Sequence, residues 1–158
     1  MPARTAEQVA PFAGLDPERI LDAIESLDLR CDGRVLALNS FENRVFRIGI
    51  EDAAPLVGKF YRPARWSDDA IREEHAFTHE LHAAELSVVA PLMLAGHTLH
   101  HHDGFRFALF PMQGGHAPEP GDPATPLHIG PALGPLHAIC APPPFAPRGP
   151  LPLATPPA

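Results

Sequence analysis

The chain has 158 residues, enough for one domain with its own core and too few for two. Its formal net charge is −7 and it contains no block of Lys and Arg, which argues against nucleic acid or an anionic membrane as a partner. No apolar run approaches the ~20 residues of a membrane helix, and the N-terminus has no apolar signal-peptide core. We expect Cys31 and Cys140 to be free thiols and the protein to be cytoplasmic.

The first predicted element is a helix over residues 16–29, which follows a flexible N-terminus at residues 1–11. Asp16 is the expected N-cap, and Pro17 occupies the first helical position, where no backbone N–H is required. Apolar residues then recur at the spacing of helical turns, at Ile20, Leu21, Ile24 and Leu27. The pattern predicts an amphipathic helix.

Three strands follow in RVLALNS (34–40), NRVFRIGI (43–50) and PLVGKFYRP (55–63), and Pro63 stops the third. Apolar side chains supply the buried faces of the first two strands, at Val35, Ala37, Val45, Phe46, Ile48 and Ile50. The residues between these two strands, NSFEN (39–43), form a turn. The segment predicts neighbouring strands of one antiparallel sheet.

A second helix is predicted over residues 67–85, with Ser67 as its cap. Part of its inner face is apolar, with Ile71, Phe77 and Leu81 along it. Downstream, HTLHHHDGFRFALFPM (97–112) predicts a hairpin that turns at Asp103-Gly104, a dipeptide suited to a two-residue turn. The order is therefore helix, three strands, helix and at least two strands.

Proline divides the chain into two unequal parts. Seven of the 21 prolines lie in residues 1–116, and fourteen lie in the last 42 residues. Each proline removes a backbone donor and fixes φ, so the second part cannot sustain a helix or a central strand. We expect an ordered domain over residues 12–115 and a mostly disordered, Pro-rich tail over residues 116–158.

Lys59, on the third strand, is the only lysine in the chain; the other eleven cationic residues are Arg. A lysine on the third strand and a glutamate on the following helix are typical of the small lobe of a protein-kinase-like fold. There, the compact ammonium suits nucleotide phosphates, and the carboxylate holds the ammonium in place. On composition alone, a solvated lysine that extends its ammonium to water is an equal alternative.

Three segments resemble one known family: LNSFENRVFRI, GKFYRPARWSDDAIREEHAFTHEL and GFRFALFPMQGG. They are similar to the stress response kinase A family, within the aminoglycoside phosphotransferase and choline kinase-like superfamily, over residues 12–115. The resemblance implies an α+β fold: a protein-kinase-like small lobe with a twisted antiparallel sheet and one main covering helix. It also implies a monomeric, cytoplasmic kinase that uses ATP and Mg²⁺ to phosphorylate serine or threonine of a protein substrate.

The resemblance also implies roles for individual residues. Lys59 would bind the α and β phosphates and Glu74 would be its partner, with the adjacent Glu73 as the alternative. The hinge beside adenine would include Phe110 and Met112, for which a plain core role is an equal alternative. The turn between the first two strands would approach the phosphates through backbone N–H groups and a hydroxyl; its residues are Asn39, Ser40, Phe41, Glu42 and Asn43.

The catalytic segments of the resembled family, HGD.H..N and a later D.DD, do not occur in this sequence. Residues 123–140 look like the family's first large-lobe helix, but Pro131 and Pro135 interrupt it, so a sequence error is one hypothesis. We expect an amino-terminal lobe that is truncated and inactive alone, with an exposed apolar face and a tendency to self-associate. The alternative is a non-catalytic module that binds a nucleotide or a partner.

Ten histidines raise the possibility of a metal site. His75, His79 and His82 share one side of the second helix, and a second group lies at residues 100–102. The zinc-protease pattern HExxH is absent, and neighbouring side chains on a strand point to opposite faces. We predict solvated or hydrogen-bonded histidines and no metal ligands.

Overall fold

The computed structural model of the protein describes residues 11–115 and the isolated positions Gly134, Leu136 and Ile139, which are helical. Two helices and five strands are present in residues 11–115: α1 (Pro17–Glu25), β1 (Cys31–Leu38), β2 (Arg44–Ile50), β3 (Leu56–Tyr61), α2 (Asp68–Ala83), β4 (His100–His102) and β5 (Phe105–Pro111). The predicted α+β class and order of elements are confirmed. The predictions for residues 1–10 and for the rest of the Pro-rich tail lie outside the described residues.

The five strands form one antiparallel sheet in the order β1-β2-β3-β5-β4. β3 is the middle strand, paired with β2 on one side and β5 on the other. Lys59 of β3 therefore lies directly between Val45 and Ala108. Because side chains opposite each other in an antiparallel pair share a face, these three residues point to the same side of the sheet.

The two helices cover opposite faces of this sheet. Under α1 lies the larger core, in which Ile20 and Ile24 pack against sheet residues such as Phe60 and Phe107. These two phenylalanine rings stack with centroids 5.3 Å apart. On the other face, α2 covers a smaller cluster of buried residues, namely Tyr61, Ile71, Leu99 and Ala108. The amino-terminal helix thus closes one face, whereas the face that carries Lys59 is covered only in part by residues 11–115.

Side-chain hydrogen bonds set the ends of both helices. The Asp16 carboxylate accepts a hydrogen bond from Arg19 N at 2.9 Å, and the Ser67 hydroxyl accepts one from Ala70 N at 3.1 Å, as their predicted capping roles require. α1 ends at Glu25 rather than at residue 29, because the chain turns there: Asp28 adopts a left-handed φ of 60°. The predicted span was therefore too long by one turn.

The predicted hairpin joins β4 to β5. Asp103 and Gly104 both have left-handed φ angles, 47° and 81°, as a two-residue turn between twisted strands requires. In the described part of the chain, no helix has both the length and the apolar character needed to cross a membrane.

Candidate functional site

Lys59 and Glu74 form an ion pair between the sheet and α2. The distance from Lys59 Nζ to Glu74 Oε1 is 3.2 Å. The lysine side chain is 24% exposed, and its ammonium also lies 4.8 Å from the centroid of the Tyr61 ring. Of the two glutamates considered from the sequence, Glu74 is the one that contacts the ammonium. The cation is therefore held in position but still reachable from one side.

An apolar cavity of about 310 Å³ lies beside this pair, with Lys59 in its wall. β2, β3, β5 and the segments that follow α2 and β5 line it, through Val45, Val57, Lys59, Val89, Phe110, Pro111 and Gln113. Apolar walls with one cation at the border suit a flat ligand that carries an anionic group. A cavity of about 410 Å³ between β1 and β2 does not include Lys59, and its Arg34 is paired with Asp32.

Among the cavity residues, Lys59 and Phe110 were predicted from the sequence as ligand contacts, and Val45 was predicted only as part of an apolar strand face. Val57 lies two positions before Lys59 on the same strand, so the two side chains face the same way. The strand pattern could therefore have predicted Val57 as a neighbour of Lys59. Val45 becomes a neighbour of Lys59 only through the register of β2 against β3. Val89 comes from the irregular segment after α2, for which the sequence pattern gives no position.

The turn at residues 39–43 is tied to the segment that follows β3. Asn43 Oδ1 accepts a hydrogen bond from Arg62 N at 3.2 Å, and Glu42 forms an ion pair with Arg65. The Phe41 side chain is fully exposed, and Asn39 and Ser40 are also exposed. These contacts hold the second half of the turn near the end of β3, two residues from Lys59, and leave its first half facing solvent.

The two predicted hinge residues differ in their surroundings. Phe110 is half-buried, lines the cavity, and places its ring edge-on to His75 at a centroid distance of 6.3 Å. Met112 lies just after β5 and is 40% exposed. Phe110 thus packs inside the protein and also borders the cavity.

A buried hydrogen-bonded chain lies next to the ion pair. His75 is 2% exposed; its Nε2 lies 2.7 Å from the Tyr61 hydroxyl and its Nδ1 lies 2.9 Å from Thr98 Oγ1. Burial lowers the pKa of His75 to about 4 and raises the pKa of Tyr61, so both groups are uncharged near neutral pH. Sequence patterning predicted Phe77 on the inner face of α2; Phe77 is only half-buried, and His75 occupies a fully buried position there.

Arg106 of β5 anchors the start of α2. Its Nη1 donates to Trp66 O at 2.7 Å and to Asp68 Oδ1 at 3.0 Å, and its Nη2 donates to Arg62 O at 3.2 Å. The hydrogen bond from Arg106 is the main cause of the lowered pKa of Asp68. His101 Nε2 lies 2.9 Å from the same carboxylate. The first turn of α2 is therefore fixed to the sheet edge by charge-assisted hydrogen bonds.

The described residues do not fit a magnesium ion. Mg²⁺ requires several oxygen ligands in octahedral geometry. Within residues 11–115 no three His, Cys, Asp or Glu side chains come together as a ligand set, and the Glu74 carboxylate beside the cavity is engaged by Lys59. A nucleotide without its metal fits better, because the cavity offers an apolar wall for a base and one cation for phosphate.

Comparison with known proteins agrees with this geometry. The phosphotransferase enzyme family matches residues 34–153. Stress response kinase A from Salmonella choleraesuis (strain SC-B67) is 43% identical over 143 residues, which cover 90% of this chain and 44% of that protein. The serine/threonine protein kinase RdoA from Salmonella typhimurium has the same identity and coverage, and stress response kinase A from Escherichia coli (strain K12) is 42% identical over 126 residues. The chain spans less than half the length of these relatives.

A solved structure has the same fold. The amicoumacin kinase hAmiN, in complex with AMP-PNP, Ca²⁺ and Ami, superposes with a TM-score of 0.56 at 20% sequence identity. The match covers 68% of this chain and 34% of the kinase. Since the family profile spans most of the sequence and the fold agrees, the chain belongs to the phosphotransferase enzyme family.

Proposed function

We propose that this chain supplies the nucleotide-binding lobe of a protein serine/threonine kinase of the stress response kinase A type. The observation that carries the proposal is the ion pair between Lys59 and Glu74, at 3.2 Å, in the wall of an apolar cavity. The relatives that match most of this chain are named as kinases, and one is named a serine/threonine protein kinase. Residues 12–115 form the lobe, and the protein acts in the cytoplasm, where ATP is abundant.

Lys59 binds the α and β phosphates of ATP in this proposal, and Glu74 keeps the ammonium from adopting other rotamers. Phe110 contacts the base and Met112 lies at the hinge. The turn residues Asn39, Ser40, Phe41, Glu42 and Asn43 approach the phosphates through backbone N–H groups and the Ser40 hydroxyl. ATP enters phosphotransfer with Mg²⁺, whose ligands we do not assign to residues 11–115. The AMP-PNP and Ca²⁺ bound by the amicoumacin kinase support nucleotide and divalent-cation use in this fold.

Phosphotransfer needs groups that this sequence does not contain. Neither HGD.H..N nor D.DD occurs in the 158 residues, so the chain offers no catalytic Asp of that pattern to orient a substrate hydroxyl. The family match nevertheless extends to residue 153, which supports reading residues 116–158 as the beginning of the large lobe. We propose that these 158 residues bind ATP weakly and transfer no phosphoryl group by themselves.

An NMR titration with ATP tests this proposal. Resonances of Lys59, the turn at residues 39–43 and Phe110 should shift together, with a Kd on the order of 1 mM. Lys59→Met should weaken binding by at least about tenfold, because it removes a charge-assisted contact worth roughly 1.5–3 kcal/mol. Arg47→Met is the matched control, because Arg47 lies on the same face of the sheet opposite Val57 but is not in the cavity wall.

Two results count against the proposal. If ATP shifts none of these resonances, or shifts them equally in the wild type and in Lys59→Met, Lys59 does not bind the nucleotide. Transfer of radiolabelled phosphate from ATP to protein by the 158-residue chain, abolished by Lys59→Met, would contradict the inactivity of the isolated chain.

A second candidate is a non-catalytic module that binds a partner. It is favoured by large apolar side chains that remain exposed in the described residues: Leu36, Phe41, Val89, Met93 and Met112. Such exposure marks contact surfaces. Sedimentation of the chain across a range of concentrations tests it: self-association that Met93→Ser reduces, without any response to ATP, favours the module over the kinase lobe.

A further inference from the structure

The position of Glu74 needs a physical explanation, because its own side chain is 48% exposed. The buried residues of α2 are only Ile71, His75 and Leu81, in a helix of sixteen residues. Two aliphatic side chains give a helix an attractive surface but little control over its rotation, because apolar contacts are not directional. The hydrogen bonds of Arg106 fix the first turn of α2, at Asp68. Glu74 lies more than one turn further along the helix, where a second directional contact would hold the carboxylate against Lys59.

His75 provides two such contacts at once. Its ring is joined through Nε2 to the Tyr61 hydroxyl on β3, at 2.7 Å, and through Nδ1 to Thr98 Oγ1 just before β4, at 2.9 Å. The two ring nitrogens stand at fixed positions on the imidazole, and each hydroxyl can donate or accept, so it is the ring orientation, and not the tautomer, that both contacts fix. One side chain thus connects α2, the middle strand and the segment that leads into the hairpin.

This chain of hydrogen bonds contacts the ion pair through Tyr61. The Tyr61 ring lies 4.8 Å from the Lys59 ammonium, while its hydroxyl reaches His75. Glu74 directly precedes His75, and in a helix neighbouring residues move together on any rotation or sliding of the axis. A rotation that withdraws Glu74 from Lys59 must therefore break the buried bond between His75 and Tyr61.

We propose that His75 is a positioning residue: its hydrogen bonds to Tyr61 and Thr98 fix the rotation of α2 and so place Glu74 against Lys59. The inference rests on the proposed function for its biological meaning, since the pair is the proposed phosphate site. The geometry itself is independent of any nucleotide. Phe110 packs edge-on against the same imidazole at 6.3 Å and lines the cavity, so the buried chain also contacts the wall where the base would bind.

The test compares four variants of the 158-residue chain. His75→Phe keeps a ring and removes both hydrogen bonds, and Tyr61→Phe removes one hydroxyl while keeping the ring beside Lys59. His75→Gln retains a polar group that reaches the Nε2 position. His79→Phe is the matched control, one turn along the same helix, because the His79 Nε2 is buried without a hydrogen-bond partner among the described residues.

The first readout needs no nucleotide. Selective ¹³C labelling of lysine gives one ε-methylene signal, since Lys59 is the only lysine. Nuclear Overhauser effects from this signal to the Glu74 γ-methylene are expected in the wild type and in His79→Phe, and lost in His75→Phe and Tyr61→Phe. The contacts between β2 and β3 serve as the folding reference and stay unchanged. Partial recovery in His75→Gln is expected.

Retention of these effects in folded His75→Phe and Tyr61→Phe overturns the proposal, because His75 then only fills space. If His75→Phe does not fold, the Tyr61→Phe result decides alone.

The second readout is the ATP titration. His75→Phe and Glu74→Gln are each expected to weaken ATP binding by about tenfold, and the double variant is expected to weaken it no further. A wild type that shows the Overhauser effects but binds no ATP supports the positioning role and refutes the proposed function.

Discussion

Burial beneath α2 lowers the pKa of His75 to about 4, from the 6.5 of an exposed imidazole. The charged groups around the ring act in both directions: Glu74 raises the pKa, whereas Lys59 on β3, His79 on α2 and His100 on β4 lower it. The Tyr61 hydroxyl faces the ring from β3 and stays protonated, since burial raises its pKa. Desolvation outweighs these charges, and the folded protein keeps the ring neutral.

The free energy of unfolding should therefore depend on pH through this residue. As pH falls from 6.5 to 4, the unfolded chain takes up the proton before the folded one does, so stability decreases by up to ~1.4 kcal/mol per pH unit. His75→Phe removes this contribution. Urea unfolding monitored by Trp66 fluorescence should show that the stability advantage of the wild type over His75→Phe shrinks between about pH 7 and about pH 5. An advantage that stays constant over this range would contradict the neutral, buried state of His75.

Gly58, the residue directly before Lys59, packs so closely against the core that a side chain there would meet its neighbours. A Cβ built at this position would lie 2.8 Å from Cδ1 of Ile48, which is completely buried on the α1 face. Gly58→Ala should lower the free energy of unfolding by roughly 1–3 kcal/mol, because the terminal methyl of Ile48 must shift within a fully packed core to make room. Gly114→Ala is the control, since a Cβ there meets nothing within 4 Å. Equal stabilities of the two variants in urea would show that the core under β3 is loosely packed.

Among the secondary-structure elements, the attachment of α2 to the sheet through Arg106 can be tested by substitution. Arg106→Ala removes its hydrogen bonds to the carbonyls of Arg62 and Trp66 and to the Asp68 carboxylate, and should cost roughly 1.5–3 kcal/mol. Arg72→Ala, which removes an exposed partner of the same Asp68, should cost less than about 1 kcal/mol. Hydrogen exchange should accelerate in the first turn of α2 in Arg106→Ala only. Similar exchange in both variants would mean that Arg106 does not anchor the helix.

The sequence predicted the elements well because caps, prolines and apolar periodicity are local signals. Asp16 and Ser67 cap the helices as predicted, and Asp103-Gly104 forms the hairpin turn. The end of α1 was misjudged because apolar residues at helical spacing continue past Glu25, into a turn stabilised by a left-handed Asp28. The spacing of apolar residues does not show where the backbone turns away from the helix.

The candidate site was predictable only in part, for a different reason. Lys59 and Glu74 were expected as partners from the resemblance, while periodicity did not separate Glu74 from Glu73. The cavity wall depends on strand register, which brings Val45 and Phe110 to the lysine side of the sheet. The sequence grouped His75 with His79 and His82 as solvated or hydrogen-bonded, and it did not single out His75 as buried, because its hydroxyl partners include Thr98, far away in sequence.

On the scale of the whole molecule, the sheet separates a closed face from a partly open one. Within residues 11–115, α1 seals the larger core, and the opposite face of the sheet carries the cavity and Lys59. Substitutions in the cavity wall, such as Lys59→Met, should alter ligand binding with little change in stability, whereas those beneath α1 should do the reverse.

The central claim, that Lys59 meets the phosphates of ATP, is tested most directly with an acyl-phosphate derivative of ATP. In this probe an amine beside the phosphates attacks the acyl carbon, becomes acylated and releases ATP. Because the chain contains one lysine, peptide mass spectrometry reports a single side-chain amine. We expect acylation of Lys59 that excess ATP suppresses and that Glu74→Gln reduces. Acylation confined to the N-terminal amine, or acylation of Lys59 that ATP does not suppress, would contradict it.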